Sequence, residues 1–443
     1  MAAKPTTRKP LSTSSSFSCF VPFLCLVFLL LLALFFSAAR PSVVSRYDDL
    51  LGEPTRDKNR WPCNYSDGAW VLDPDPVALR YDHTCKEIFK GWNCIASGKH
   101  NGRDLLRWRW QPSRCGLPRL EPLRFLRRFR NTNIGWLLMA IGHMISVLSF
   151  AKVNSLGRPL VGFISAGFVG DSLNRNMYVS LVCMLRSVSR GVRKWRPAGA
   201  DRGFTFLDYN LTVAYHRTNL LVRYGRWSAS DNGGALESLG IKQGYRVDVD
   251  VPEHTWAEAP SFHHILIFNT GHWWWAPSKF DPEQSPMLFF EKGLPVLPPV
   301  TPEIGIDLAL KHMISYAERR AAKGARTFFR TQSPRHFEGG DWNQGGSCRR
   351  REPLLSHEVE EHFSVEKNAT NAEVRVINQH LYKALQRSSF QVLDITRMSE
   401  FRADAHPSTM GRKKHEDCMH WCLPGLTDTW NDVLMAALED STS

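Results

Sequence analysis

The sequence lacks the features that mark several common protein classes. It has no repeat of fixed period, which argues against a repeat architecture. It has no glycine-rich nucleotide loop and no nucleic-acid-binding motif, so neither nucleotide chemistry nor nucleic-acid recognition is expected. The formal net charge is +13, but Lys and Arg are scattered apart from short clusters such as the one within residues 124–130. Such a basic surface is compatible with an acidic polysaccharide partner.

Closely spaced pairs of cysteines, which zinc sites require, are also nearly absent. Only Cys418 and Cys422 lie close together, and no second pair complements them, so we expect no bound metal. Cys19 and Cys25 lie in an apolar segment. The other eight cysteines suggest four disulfides in an oxidising compartment, although their pairing cannot be deduced from spacing.

The length allows either one large globular domain with appendages or two domains of about 150 residues each. The chain has 443 residues, of which 43% are hydrophobic and 22% charged, so a sizeable core can form. The 15 Trp residues are unusual. We expect most of them in the core and the rest in a groove where flat rings stack on sugars.

An uncharged apolar run covers residues 17–39 and is long enough to cross a bilayer core of about 30 Å. Lys4, Arg8 and Lys9 precede it, which favours a cytosolic N-terminus. We therefore predict a single-pass type II signal anchor with the rest of the chain lumenal. A cleaved signal peptide ending near Ser37–Ala39 is the alternative, and it also sends the chain into the secretory pathway.

The rest of the chain divides by composition. Glycosylation sequons at Asn64, Asn210 and Asn368 agree with a lumenal location. The predicted segments are a cytosolic tail (1–16), the transmembrane anchor (17–39), a stem (40–60), a Cys-rich, loop-rich module (61–130) and a catalytic domain (131–443).

The catalytic domain alternates short apolar runs with helical stretches. Strands are predicted to end at residues 168–172 and to span 263–271, 325–333 and 390–396, and helices to span 173–190 and 302–323. This alternation predicts an α/β fold with a mainly parallel sheet flanked by helices.

A candidate nucleophile, Ser172, lies where the first of these strands meets a helix. Ligands bind beyond the carboxyl ends of strands in open α/β sheets, and a helix N-terminus stabilises a developing oxyanion. The alternative is that Ser172 only caps the helix. The site is not the elbow of α/β-hydrolases, because Asn174 stands where that motif has its second glycine, although Gly170 matches the first.

A second constellation contains Asp417 and His420. Their spacing would place them on one face of a helical turn, where the carboxylate would orient an imidazole able to deprotonate a serine. Cys418 and Cys422 would pin the segment to the scaffold. The alternative is a surface Asp–His pair beside structural disulfides.

The order of these residues, a strand–helix serine followed by Asp-x-x-His near the C-terminus, is typical of GDS-type (SGNH) esterases. Asn269 and Gly271 end another predicted strand. Their amide and backbone N–H groups would complete an oxyanion hole, although an ordinary Asn–Gly turn is the alternative.

Several motifs resemble the plant trichome-birefringence-like (ESKIMO-type) proteins, a family of polysaccharide O-acetyltransferases. The resemblance covers residues 61–432. The motifs are CNYSDGAWV (63–71), WRWQPSRCGLPRL (108–120), FVGDSLNRN (168–176), FNTGHWW (268–274), FFRTQSPRHFEGGDWNQGGSC (328–348) and DCMHWCLPGLTDTWN (417–431).

The resemblance implies an SGNH/GDSL-like enzyme of the Golgi membrane, with its catalytic domain in the lumen. It implies Ser172 as nucleophile, supported by Asp417 and His420. It also implies a cell-wall polysaccharide acceptor and an acetyl donor, with a donor membrane protein as a further partner and no bound cofactor. Residues in these motifs are predicted to bind substrate or the oxyanion: Gly170, Arg175, Asn269, Gly271, Trp273, Arg330, His336 and Trp342.

Two other activities remain open. The same triad would serve an acetyl-polysaccharide esterase, and the tryptophans would serve a non-catalytic wall-binding protein.

One segment departs from the family pattern. Residues 129–135 would join smoothly to residues 168–172, so we interpret residues 136–167 as an insertion from a retained intron or a gene-model error. A second membrane span is the alternative, but the continuous apolar stretch is short for one.

The insertion hypothesis predicts a transcript in which the codon for Gly135 directly precedes the codon for Phe168. Sequencing transcripts across this junction checks it. A single mRNA species encoding Trp136–Gly167 would contradict it.

Overall fold

A computed structural model describes residues 63–73, 79–130, 164–230, 234–276, 279–408 and 416–440. The predicted tail, membrane anchor and stem lie outside these residues, as do residues 131–163. None of the helices in the described ranges combines the length and apolar character needed to cross a bilayer. Residues from Cys63 onward form one compact unit.

The N-terminal module is a small loop-rich layer. Its two strands, β1 (Gly68–Leu72) and β2 (Trp108–Pro112), pair antiparallel. Short 3₁₀ turns at Lys90–Trp92 and Asp104–Arg107 lie between them. The module ends in helix α1 (Pro122–Arg128), whose N-cap Glu121 accepts hydrogen bonds from the first-turn N–H groups.

A seven-stranded sheet forms the centre of the main domain. The order across it is β13-β12-β9-β3-β6-β5-β4. The five strands from β13 to β6 are parallel, and β5 and β4 extend the sheet at one edge with antiparallel pairing. The strands are β3 (Ile164–Gly170), β4 (Val192–Lys194), β5 (Arg202–Phe206), β6 (Leu211–Arg217), β9 (Ile265–Phe268), β12 (Arg326–Arg330) and β13 (Gln391–Leu393).

Alternate residues of the central strands feed two separate cores. Phe168 and Ile267 lie in a core with helices α2 (Ser172–Val188) and α8 (Leu426–Asp440). The residues that follow them, Val169 and Phe268, lie in a second core with helix α4 (Pro302–Arg320). Because both faces are covered, strand β9 consists of four buried apolar residues, as expected for a central parallel strand.

A second sheet has four strands in the order β11-β10-β8-β7, and it contributes side chains to the same core as strands β9 and β12. It combines an antiparallel β7–β8 pair with a parallel β8–β10 pair. Its strands are β7 (Val222–Ser228), β8 (Gln243–Pro252), β10 (Met287–Glu291) and β11 (Leu294–Pro295). The remaining helices are α3 (Ala259–Phe262), α5 (Ser356–Phe363), α6 (Glu373–Leu385) and α7 (Thr396–Glu400).

The predicted α/β class and the parallel core are confirmed. The predicted helices 173–190 and 302–323 correspond to α2 and α4. The second sheet was not predicted. Strand β7 is exposed along most of its length, so its residues do not show the apolar run that identified the central strands.

The last four residues of the segment interpreted as an insertion, 164–167, form the first part of β3. The rest of that segment lies outside the described residues. Gly167 pairs with Ala214 and Leu266. A Cβ on Gly167 would lie 2.4 Å from the His263 ring, so this strand position requires glycine.

Four disulfides join the eight cysteines, as predicted. Two of them link the N-terminal module to the main domain. The pairs are Cys63–Cys115, Cys85–Cys183, Cys94–Cys422 and Cys348–Cys418.

A buried histidine pair at strand β6 of the central sheet predicts pH-dependent stability. His216 Nε2 lies 2.9 Å from His263 Nε2, and burial lowers the pKa of His216 from 6.5 to about 4. Between pH 6.5 and about pH 4, the unfolded chain binds a proton at His216 that the folded chain does not bind, so stability falls as pH falls. In His216→Gln, the slope of the free energy of unfolding against pH should therefore be smaller by about 1.4 kcal/mol per pH unit.

Urea unfolding at several pH values within that window measures the slope. His254→Gln is the control, because His254 is exposed and should leave the slope unchanged. Equal slopes for wild type and His216→Gln would contradict the prediction.

Candidate active site

Ser172 is free to react because its neighbour caps the helix. The buried Asp171 is the N-cap of α2, and its Oδ1 accepts the N–H of Leu173 at 2.9 Å. Ser172 is the first helical residue and its Oγ contacts His420 instead. The alternative that Ser172 is the helix cap is therefore excluded.

Ser172, His420 and Asp417 form a continuous hydrogen-bonded chain. His420 Nε2 lies 2.8 Å from Ser172 Oγ. His420 Nδ1 lies 2.9 and 3.1 Å from the two carboxylate oxygens of Asp417. The His420 side chain is 21% exposed, so a ligand can reach the imidazole. This geometry lets the carboxylate orient the imidazole and the imidazole accept the serine proton.

The segment that carries Asp417 and His420 is a turn, and the predicted helical turn is wrong. Asp417 pairs with Ser408 in an isolated bridge, and Asp417 Oδ1 accepts the backbone N–H of His420 at 3.1 Å. This side-chain-to-backbone bond closes the turn locally. Cys418 and Cys422 hold its ends through bonds to Cys348 and Cys94, as predicted.

A buried amide joins this turn to the serine helix. Asn176, one turn after Ser172, accepts the backbone N–H of Trp421 at 2.8 Å and donates to its carbonyl oxygen at 3.3 Å. Both polar backbone groups of the residue after His420 are thereby bound to α2. Sequence reasoning missed Asn176, although it lies within the FVGDSLNRN motif.

The N-terminal module contributes directly to the site. The Trp92 ring stacks on the His420 ring with centroids 5.1 Å apart. The Arg175 guanidinium lies 5.2 Å from the same Trp92 ring. Cys94, two residues after Trp92, is bonded to Cys422, two residues after His420. Trp92 was not predicted, and its spacing from Cys94 was the signal that could have suggested it.

The side-chain amide of Asn269 is held beside Asp171. Its Oδ1 accepts the N–H of Asp171 at 3.3 Å, which turns Nδ2 the other way. Nδ2 is buried and has no hydrogen-bond partner among the described residues. Gly170 is needed here, because its φ is +154° and a Cβ would lie 1.8 Å from Asn269 Oδ1.

Residues just after Asn269 form a wall beside Asp171. His272 Nδ1 lies 3.3 Å from Asp171 Oδ2, and burial lowers the pKa of His272 to about 4 against the attraction of Asp171. Gly271 packs against Gln332, and a Cβ on Gly271 would lie 2.4 Å from Gln332 Oε1. Trp273 is half-buried, with the Lys279 ammonium 5.3 Å from its ring.

Arg330 is buried beneath the site and does not line an open groove. Its Nε donates to Asn174 Oδ1 at 3.3 Å and its Nη1 to the Thr331 carbonyl at 2.8 Å. Burial lowers its pKa to about 10, against the attraction of Asp171. Arg330 therefore acts on the site as a buried positive charge.

His336 is placed differently from the prediction. His336 is 1% exposed, and its nitrogens contact the Glu400 carbonyl at 2.8 Å and His406 at 2.7 Å. Trp342 packs on the Cys348–Cys418 disulfide. A groove-lining role for His336 is wrong, because both ring nitrogens already have protein partners. His406 in turn lies 2.7 Å from the His420 carbonyl.

The described residues thus place a serine, an oriented imidazole and a buried amide without a partner at the carboxyl edge of a parallel sheet, an arrangement typical of SGNH-type esterases. Residues 165–437 match the GDSL/SGNH-like acyl-esterase family found in Pmr5 and Cas1p. Residues 61–116 match the PMR5 N-terminal domain. The chain belongs to the trichome birefringence-like family.

Relatives from Arabidopsis thaliana cover most of the chain. Trichome birefringence-like 13 is 60% identical over 85% of this chain and 84% of its own length. Trichome birefringence-like 12 is 41% identical over 84% of each. Xyloglucan O-acetyltransferase 2 is 29% identical over 85% of this chain and 82% of its own length.

The Asn269 geometry predicts a specific defect. Asn269→Asp keeps the oxygen that binds the Asp171 N–H but removes the amide donor, so kcat for cleavage of a neutral acetyl ester should fall about 10²–10³-fold. Because the substrate is held by other groups, KM should change little. Thermal unfolding controls for folding, and an unchanged kcat in a folded variant would exclude Asn269 as the donor.

Proposed function

We propose that this protein transfers acetyl groups to hydroxyl groups of a plant cell-wall polysaccharide through an acetyl-serine on Ser172. The observation that carries the proposal is the hydrogen-bonded chain from Ser172 through His420 to Asp417. A relative named as a xyloglucan O-acetyltransferase supports the reaction class and the substrate class.

In the first half-reaction, His420 Nε2 takes the Ser172 hydroxyl proton as Oγ attacks the acetyl carbonyl. The carbonyl oxygen becomes an oxyanion, which the Ser172 N–H and Asn269 Nδ2 stabilise. The Ser172 N–H is available because first-turn N–H groups have no intrahelical acceptor. The tetrahedral centre then collapses, the bond to the donor group breaks, and His420 returns the proton to that leaving group.

In the second half-reaction, His420 takes a proton from a sugar hydroxyl. The alkoxide oxygen attacks the acetyl-serine carbonyl, the bond to Ser172 Oγ breaks, and Oγ recovers the proton from His420. Transfer prevails over hydrolysis when the bound sugar displaces water and holds its hydroxyl in line. The Trp92 ring on His420 shields one face of the imidazole from water.

A second candidate is hydrolysis of acetylated polysaccharide by the same residues. The acyl-esterase description of the matching domain favours it. The two activities differ only in whether water or a sugar hydroxyl resolves the acetyl-serine.

We further propose that the domain works in the Golgi lumen behind the N-terminal anchor. The four disulfides support an oxidising compartment. The acetyl donor is supplied there, directly or through a membrane partner.

The proposal predicts that the purified protein adds acetate to non-acetylated wall glycans when an acetyl donor is present. Mass spectrometry of the glycans measures the gain. Ser172→Ala should reduce the rate by about 10³-fold or more, whereas Ser228→Ala, at an exposed end of β7, should not. Acetate loss from acetylated glycans without any gain would instead support the esterase, and full biological effect of Ser172→Ala a non-catalytic role.

A further inference from the structure

A cationic side chain lies beside the triad without a carboxylate partner. Arg175 follows Ser172 by three residues in α2, so the two side chains emerge on the same side of the helix. Its guanidinium carbon lies 5.2 Å from the Trp92 ring centroid and 5.7 Å from that of Phe89. The same Trp92 ring stacks on His420, so the guanidinium and the imidazole contact one shared indole ring.

The charge of Arg175 is not neutralised by the protein. Its Nε is buried without a hydrogen-bond partner, and Arg175 forms no ion pair within the described ranges. Burial, reinforced by repulsion from Arg202 and Arg217, lowers its pKa. Asp201 opposes this effect, but Asp201 lies 3.4 Å from Arg202 Nε.

The alternative is that Arg175 has only a structural role, in which its cation–π contacts hold the N-terminal module in place. Arg226 makes such a contact with Tyr245 on the second sheet, at 4.4 Å. Two observations distinguish Arg175 from Arg226: Arg202 and Arg217 repel its charge, and Phe89 beside it is 45% exposed. An exposed ring next to an unpaired guanidinium offers a sugar both a stacking face and an anion-binding group.

We propose that Phe89, Arg175 and Arg217 form an acceptor subsite for acidic polysaccharide, in which a sugar stacks on Phe89 and Arg175 binds a uronate carboxylate. The proposal rests on the function proposed above and specifies its substrate class. A planar guanidinium binds carboxylate through two parallel N–H donors, so the subsite would fix the sugar chain relative to Ser172. The exposed Arg217 adds charge at the rim.

Binding to the Ser172→Ala protein tests the subsite without turnover. The probes are an oligogalacturonide and a glucuronic-acid-bearing xylo-oligosaccharide, each compared with its carboxyl-reduced form by calorimetry. At least one acidic probe should bind roughly 10- to 100-fold more tightly than its reduced form. Adding Arg175→Gln should abolish this preference, and Arg175→Lys should retain only part of it.

Two further variants separate the subsite from folding and from general charge. Phe89→Ala removes an exposed ring and should weaken acidic and reduced probes alike. Arg226→Gln removes a cation–π arginine from the second sheet and should change neither.

Equal binding of acidic and reduced probes would overturn the proposal. A second result would also overturn it: Arg175→Gln slows reactions with a phosphate-bearing donor such as acetyl-CoA but not with a neutral acetyl ester. The anion bound by Arg175 would then belong to the donor and not to the sugar. If the acidic preference stands while no acetyl transfer is detected, the subsite holds and the proposed reaction fails. Acetyl transfer confined to neutral glycans would mean that the proposed reaction holds and the subsite fails.

Discussion

The active site depends on the attachment of one C-terminal turn to the helix that begins with Ser172. The side-chain amide of Asn176 binds both polar backbone groups of Trp421. This places the preceding residue, His420, opposite the serine that lies one turn earlier on the same helix. Hydrogen bonds of 2.8 to 2.9 Å join Ser172, His420 and Asp417. The imidazole therefore needs little reorganisation before it accepts a proton. Neither the sheet nor the helix alone would produce this alignment.

The N-terminal module strengthens the same attachment from the other side. The Cys94–Cys422 disulfide spans 328 residues of sequence, so it restrains the unfolded chain strongly in the loop-entropy view. It also brings Trp92 against His420. The module therefore does more than extend the domain, because one of its rings forms part of the environment of the imidazole.

The sequence allowed the parallel core and the triad to be predicted, for different physical reasons. The central strands are covered on both faces and so read as apolar runs, whereas the triad was identified by its motifs and their order. Trp92 and Asn176 escaped prediction because their roles arise only when distant segments meet. His336 was misplaced because a motif gives proximity in sequence, not the direction of a side chain, and its ring faces His406. The second sheet was missed because its outer strand β7 is largely exposed.

The close approach of His263 to Gly167 limits how the chain can enter its central strand. Any side chain at that position would collide with the imidazole, so whatever segment precedes Phe168 must end in glycine. The sequence offers two such segments, because residue 135 is also glycine. Splicing that joins residue 135 to residue 168 would thus keep a glycine next to His263, and both forms of the polypeptide would meet this steric requirement.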